Sequence, residues 1–538
     1  MSSEYASSVS DVVVEEKADM AGLQRKLKNR HIQMIALGGC IGTGLFYGSA
    51  DAIAAAGPSI IIAYIVGGAA IFFVMRAVGE MSVRTPVAGA FTHHAYANWS
   101  ERAGFVSGWN YWFNYILVSM VELSVVGIYI NYWLPDFPSW ATATICLVLI
   151  AAVNLVGVRS FGEFEFWFAL IKVLAVIAMI VVGLIVVFAA IHAPDTATPS
   201  FGNLFDPAIG GGFMPYGLLT ESNGVWLGLA MALVVVMFSF GGVELVAITA
   251  GEADDPGRTI PKAINQIAVR ILLFFVGSMI VIMAVVPWTA IDGQMSPFVR
   301  IFDYVGIRVG AAVLNFVAIT AVLSVYNSGL YSNARMLHAL ALQGNAPKFL
   351  GRVAKNGVPI NGVLASAAIT AVAVVVVFVW PDFAFRYLMS IALVAGIINW
   401  TMVMITQMKF RRRIGAEEVS RLAFKMPWFP IVNWVIMAYL GFVVVMMCFS
   451  PGHRIAVIIG PIWLTLLLFG YQVKTDARGA SPWWAALSFF IAPVGLVLWL
   501  TERTTHPARA RLARDGVIAC VALALVLTLF IIVINLTM

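Results

Sequence analysis

Long apolar runs alternate with short polar connections along almost the whole chain. The runs begin near Gln33, Ser59, Ala103, Trp140, Phe164, Gly224, Ile264, Gly310, Ile360, Phe385, Phe429 and Ala456. Each reaches the roughly 20 residues that a helix needs to cross about 30 Å of hydrocarbon. The pattern therefore predicts twelve membrane-spanning helices. Two more apolar runs follow, at 482–500 and 516–536, on either side of a loop carrying Arg503, Arg509, Arg511 and Arg514. If both cross the membrane, that basic loop lies outside. The Pro493 and Gly495 pair also permits a re-entrant hairpin in the first run, because non-helical backbone is tolerated at membrane depth when protein surrounds it. Both topologies stay open.

Composition agrees with the pattern and excludes large soluble domains. Of 538 residues, 61% are hydrophobic and 11% charged, against about 25% charged in ordinary soluble proteins. Three segments are expected: a polar tail at 1–24, a twelve-helix unit at 25–475 and a two-segment extension at 476–538. The tail has neither the basic start nor the apolar core of a cleaved signal. Cys40, Cys146, Cys448 and Cys520 lie in or beside apolar runs, without disulfide or metal-ligand spacing, and read as packing residues.

The net charge of +6 does not indicate a nucleic-acid partner, because the basic residues are dispersed between apolar runs. Their placement reports topology instead. The cluster Arg25, Lys26, Lys28 and Arg30 puts the N-terminus in the cytoplasm, so every even-numbered connection is expected there too. Those connections carry Arg76, Arg84 and Arg102; Arg159; Arg258 and Lys262; Lys348, Arg352 and Lys355; and Lys409, Arg411, Arg412 and Arg413. The turn at 134–139 and the long loop at 191–223 have no Lys or Arg. Arg300, Arg308, Arg386 and Arg454 fall on the opposite side. The chain is thus expected to be multi-pass in the cell membrane.

Two spans are interrupted by glycine. Span one contains Gly38, Gly39, Gly42 and Gly44 around Ile41 and Thr43. At roughly 0.8–1 kcal/mol per glycine relative to alanine, such a stretch favours unwinding. Unwound backbone in the bilayer needs partners from other helices, water or a ligand. A close-packing face would explain one such run equally well. Span six, however, carries Phe238, Ser239, Phe240, Gly241 and Gly242, and two breaks five helices apart are the mark of two inverted five-helix repeats with a substrate held between them. The half-helix after a break offers free N–H groups and partial positive charge to a carboxylate. The half-helix before it offers carbonyls to an ammonium. Together they match a zwitterionic amino acid.

Three charges lie inside the apolar runs: Glu122 in span three, Lys172 in span five and Glu244 after the span-six glycines. Each costs about 2.5–3.5 kcal/mol at mid-bilayer on the insertion scale, so each should face a cavity or a partner. Proton coupling or assembly of the site is the functional reading, and a structural ion pair or hydrogen bond the plain one. Glu163 and Glu165 are expected at the interface beside Arg159. His93 and His94 are expected to be interfacial too, with no nucleophile or carboxylate beside them in sequence. Tyr111, Trp112, Tyr115, Trp133 and Trp140 read as interfacial belts. No catalytic constellation, cofactor motif or metal spacing appears, so an enzyme is not expected.

The motifs LKNRHIQ at 27–33, GCIGTGLF at 39–46, GEM at 79–81, PVAG at 86–89, FEFWFALIK at 164–172, FSFGGVE at 238–244, GEA at 251–253, IPKAIN at 260–265, YNSG at 326–329 and GNAP at 344–347 resemble the amino acid transporter family of the amino acid, polyamine and organocation superfamily. The resemblance covers about residues 20–475. It implies an all-α fold of the leucine-transporter type, with two inverted five-helix repeats plus two helices; the two C-terminal apolar segments are extra. It places the substrate carboxylate at the backbone of Gly42, Thr43 and Gly44 and the ammonium near carbonyls of spans one and six. It makes Phe240 a gate and puts Lys172 where sodium-coupled relatives bind an ion, which implies proton coupling. The substrate-site set is then Gly39, Ile41, Gly42, Thr43, Gly44, Phe238, Ser239, Phe240, Gly241 and Gly242. FSFGG in span six and SVYNSG at 324–329 look most like the aromatic amino acid permeases, Gly241 and Gly242 leaving volume for a ring. The expected function is proton-coupled import of neutral, aromatic amino acids by alternating access; an amino acid exchanger and a non-transporting sensor are the alternatives.

Overall fold

In a computed structural model, ten helices among the described residues are long and apolar enough to cross a membrane. The described residues are 39, 41–87, 89–193, 196–244, 256–291, 293, 295–476, 485, 488, 492–502 and 506–521. The ten are Gly48–Arg84, Glu101–Asn131, Ser139–Val156, Phe161–Phe188, Gly257–Val285, Arg308–Leu342, Ile360–Val379, Ala384–Arg421, Ile431–Phe449 and Arg454–Thr475. They coincide with the expected spans two to five and seven to twelve, the first also taking in the end of span one at Gly48–Ala56. The remaining two are the interrupted ones. Span one is described from Ile41 onward, with helices Thr43–Phe46 and Gly48–Ala56, and passes through a tight turn at Gly57–Ser59 into span two. Span six is described as the short apolar helix Leu229–Phe238. The chain is an all-α polytopic membrane protein.

Local chemistry sets several helix ends. Ser100 caps span three, its hydroxyl accepting from the Ala103 N–H at 3.1 Å. Gly157 alone separates spans four and five, with φ of 153°, a conformation that strongly favours glycine. In the long connection after span five, Asn223 and Gly224 both take positive φ and close a two-stranded antiparallel hairpin of Thr220–Ser222 and Val225–Leu227.

Burial separates the inner helices from the outer ones. The apolar windows of spans three and ten are 78% buried, those of spans four and twelve 22% and 17%. Spans three and ten are tied by amides: Asn110 Nδ2 donates to the Ala395 carbonyl and to Asn399 Oδ1, at 2.9 and 2.7 Å, and Asn114 Nδ2 donates to the Ala392 carbonyl at 2.7 Å. This inner position corrects part of the belt expectation. Trp133 and Trp140 are exposed at helix ends as a belt requires, but Tyr111, Trp112 and Tyr115 are buried within the bundle. Their face of span three packs on other helices instead of lipid.

Even-numbered connections gather at one end. Asn356, after span eight, donates to the carbonyls of Leu155 and Val156 at the end of span four. Arg84, at the end of span two, pairs with Glu418 after span ten at 3.3 Å, and Arg413 donates to the Ala97 carbonyl. On the opposite side, two of the displaced arginines have acidic partners, Arg386 with Asp51 at 3.4 Å and Arg300 with Asp303 at 3.3 Å. His93 and His94 are not interfacial. Helix Ala90–Asn98 buries both, and His94 Nε2 lies 3.3 Å from Ser82 Oγ.

The tail 1–24, the cluster Arg25, Lys26, Lys28 and Arg30, Cys40 and the GEA motif lie outside the described residues. Among the described residues, Cys146, Cys448 and Cys520 are unpaired. In the C-terminal extension, residues Ala492–Glu502 form a helix.

Candidate functional site

Spans one and six touch at their glycine-rich segments. Ile41 and Gly42 are non-helical, and Gly42 is extended, with φ −136° and ψ −156°. A helix begins at Thr43, the Gly42 carbonyl accepting from the N–H groups of Leu45 and Phe46, both at 3.1 Å. Span six stops at Phe238 and continues as turns through Glu244. At the crossing, a Cβ on Gly44 would lie 2.6 Å from Ser239 Cα and 2.9 Å from its Oγ. Only glycine permits that approach. The backbones of spans one and six are therefore in contact where the described helix of span one begins and that of span six ends.

Within the predicted set, Ile41, Thr43, Phe238, Ser239 and Phe240 are buried, as are Gly39, Gly42, Gly44 and Gly242; Gly241 is half-buried. Gly242 has a φ of 96°, and a Cβ on Gly241 would sit 3.2 Å from the Phe238 carbonyl oxygen. Backbone conformation alone is thus a sufficient reason for glycine at 242. The Phe240 ring is seated on spans two and seven, with centroids 6.0 Å from Tyr64 and 5.2 Å from Phe275. A Cβ on Gly67 would come within 3.0 Å of it.

Glu122 joins the break of span one. Thr43 Oγ1 donates to Glu122 Oε2, and a Cβ on Gly42 would meet Glu122 Oε1 at 3.2 Å and Val325 Cγ2 at 2.8 Å. Spans one, three and eight converge there. Lys172 is fully buried, and its Nζ donates to Ser324 Oγ of span eight at 2.9 Å. Its charge acts on two carboxylates, Glu122 and Glu165. Glu244 is a third buried carboxylate, beside Tyr115 and Trp400, and its Oε2 has no hydrogen-bond partner among the described residues.

Glu165 overturns an expectation. It is fully buried, and Ser324 Oγ donates to its Oε1 at 2.6 Å. Only Glu163 keeps a half-buried position near the helix end. The sequence does hold the signal: Glu165 and Lys172 are seven residues apart, two turns along one helix face. Ser324 carried no such mark. Among the described residues, no group of three or more His, Cys, Asp or Glu is placed to hold a metal ion.

Comparison with known proteins agrees with this architecture. The amino acid permease family model matches residues 31–481. The aromatic amino acid transport protein AroP of Escherichia coli strain K12 is 49% identical over 460 residues, 85% of this chain and 97% of that protein. AroP of Salmonella typhimurium strain LT2 is 48% identical over 454 residues, 84% of this chain and 96% of that protein. YtnA of Bacillus subtilis strain 168, named as an uncharacterized amino acid permease, is 45% identical over 452 residues, 84% of this chain and 95% of that protein. A match of this breadth takes in both broken helices and the buried charges around them: the chain belongs to the amino acid permease family and is a multi-pass membrane transporter, not an enzyme.

Proposed function

We propose that this permease imports neutral aromatic amino acids across the cell membrane by proton symport and alternating access, with its N-terminus in the cytoplasm. The observation that carries the reading is the contact of the two broken helices at Gly44 and Ser239, with Thr43 and Glu122 beside it. Backbone of Gly42, Thr43 and Gly44 binds the substrate carboxylate, and the carbonyls around Gly39, Ile41, Phe238 and Ser239 take its ammonium. Phe240 gates the site by leaving its seat against Tyr64 and Phe275, while Gly241 and Gly242 supply the hinge. Aromatic preference is supported by the names of the AroP relatives.

Coupling is assigned to Lys172, with Glu122 and Glu244 as the further buried charges that complete the site. A fixed ammonium held by Ser324 supports proton rather than sodium coupling, because it supplies the positive charge a bound metal ion would otherwise bring. The unit at 25–475 carries this activity, and the extension at 476–538 is an addition to it.

Uptake of labelled phenylalanine, tyrosine or tryptophan into vesicles should follow an imposed pH gradient and collapse with a protonophore. Uptake that ignores the gradient but needs internal amino acid would establish an exchanger instead. Binding without accumulation would indicate a sensor. Lys172→Gln should abolish the response to the gradient.

A further inference from the structure

A buried carboxylate lies one hydroxyl away from the coupling lysine. Lys172 Nζ donates to Ser324 Oγ at 2.9 Å, and Ser324 Oγ donates onward to Glu165 Oε1 at 2.6 Å. All three residues are fully buried. Glu165 Oε2 accepts from Asn327 Nδ2 at 3.5 Å, and Asn327 Oδ1 accepts from Asn154 Nδ2 at 2.8 Å. Asn154 lines a cavity of about 10 Å³ with Tyr331 and Arg335, room for about one water. The backbone of Glu165 lies about 10 Å from that of Lys172 along the helix axis, at 1.5 Å per residue, although their charged ends share the Ser324 hydroxyl. The displacement is toward the end where the even-numbered connections gather. Glu122 is the other carboxylate within reach of the Lys172 charge, and it lies at the break of span one.

We infer that Glu165 accepts the coupling proton from Lys172 through Ser324 and delivers it toward the cytoplasmic end. This rests on the reading of Lys172 as the coupling residue. In the transfer, a proton leaves the Lys172 ammonium for Ser324 Oγ while the Ser324 hydroxyl proton moves to Glu165 Oε1. The products are a neutral amine, an intact hydroxyl and a neutral carboxyl. Rotation of the hydroxyl resets the chain once Glu165 releases its proton. A carboxylate that only balanced the lysine charge would serve best in direct contact; here a hydroxyl that can both accept and donate stands between the two.

The test uses the full-length protein in liposomes and two readouts: phenylalanine uptake driven by an acid-outside gradient, and counterflow against internal phenylalanine without a gradient. Glu165→Gln should lower the ratio of gradient-driven uptake to counterflow about a hundredfold or more, within the range of a lost positioned acid or base. Ser324→Ala should do the same and Ser324→Thr, which keeps a hydroxyl, should restore the ratio. A wild-type ratio in Glu165→Gln, or equal ratios in the two Ser324 variants, would overturn the relay. If Glu165→Gln does not fold, the Ser324 pair decides alone. Absence of gradient-driven uptake in the wild type would instead overturn proton symport itself, and the relay with it.

Discussion

The hydroxyl of Thr43, the first helical residue after the break in span one, donates to the carboxylate of Glu122 on span three. Both residues are buried, so this bond fastens an unwound segment to the inner helix of the bundle. Thr43→Val keeps the shape and removes the donor. An unsatisfied buried partner costs about 1–3 kcal/mol, more when it is charged. Labelled phenylalanine uptake at matched expression should therefore fall about tenfold or more, at 1.4 kcal/mol per decade. Thr43→Ser retains the donor and should stay near wild type.

The two glycines flanking Thr43 differ in what they face, and that difference can be read by second-site rescue. A Cβ on Gly42 would press on the Val325 Cγ2 methyl at 2.8 Å. Removing that methyl frees space, so uptake lost in Gly42→Ala should partly return in Gly42→Ala with Val325→Ala. A Cβ on Gly44 would meet Ser239 Cα at 2.6 Å. No side-chain truncation moves a Cα, so Gly44→Ala should stay inactive even with Ser239→Ala.

Glu80 and Arg411 predict a large stability effect. Arg411 donates through Nε and Nη2 to the two Glu80 oxygens at 2.7 and 2.5 Å, and Gln407 Nε2 and the Met426 N–H also donate to Glu80, at 2.9 and 2.6 Å. The Glu80 side chain is wholly buried. Removing one partner of a buried pair costs about 3–5 kcal/mol, so Arg411→Ala should markedly lower the unfolding temperature in detergent. Arg84→Ala breaks a half-exposed pair with Glu418 and should cost at most about 1 kcal/mol.

His94 gives the pH dependence a sign. Burial first, and His93 second, hold its pKa down from 6.5 to about 3. The folded protein keeps the ring neutral while the unfolded chain takes up a proton near 6.5. Stability is therefore full above 6.5 and falls as pH is lowered between those two values. At pH 5 the loss is roughly 2 kcal/mol, at 1.36 kcal/mol per unit. Thermal unfolding at pH 7 and pH 5 should show a smaller drop for His94→Gln than for the wild type. Equal drops would assign the acid sensitivity elsewhere.

Much of the fold was legible along the chain. Apolar runs located the spans because hydrocarbon forces every spanning segment to satisfy its own backbone. Glycine clusters marked both breaks, at Gly42 and Gly44 and at Gly241 and Gly242, because glycine concedes helix stability wherever it stands. Lys172 and Glu122 stood out for the same reason that makes them costly in lipid. These are properties of a residue and its near neighbours.

Tertiary structure decided which residues meet. Gly44 is needed for the Cα of Ser239 and Gly42 for a methyl of Val325, contacts between elements far apart in sequence. Glu165 looked interfacial from its place near a helix end and beside Arg159, yet span eight covers it and Ser324 binds it. Tyr111, Trp112 and Tyr115 had the composition of a membrane belt until spans nine and ten and helix Ala90–Asn98 were packed around them. A sequence states what a side chain is and which face of its helix it occupies; whether that face meets lipid, water or another helix depends on how the whole bundle closes, because burial is a property of the assembled surface and not of the segment.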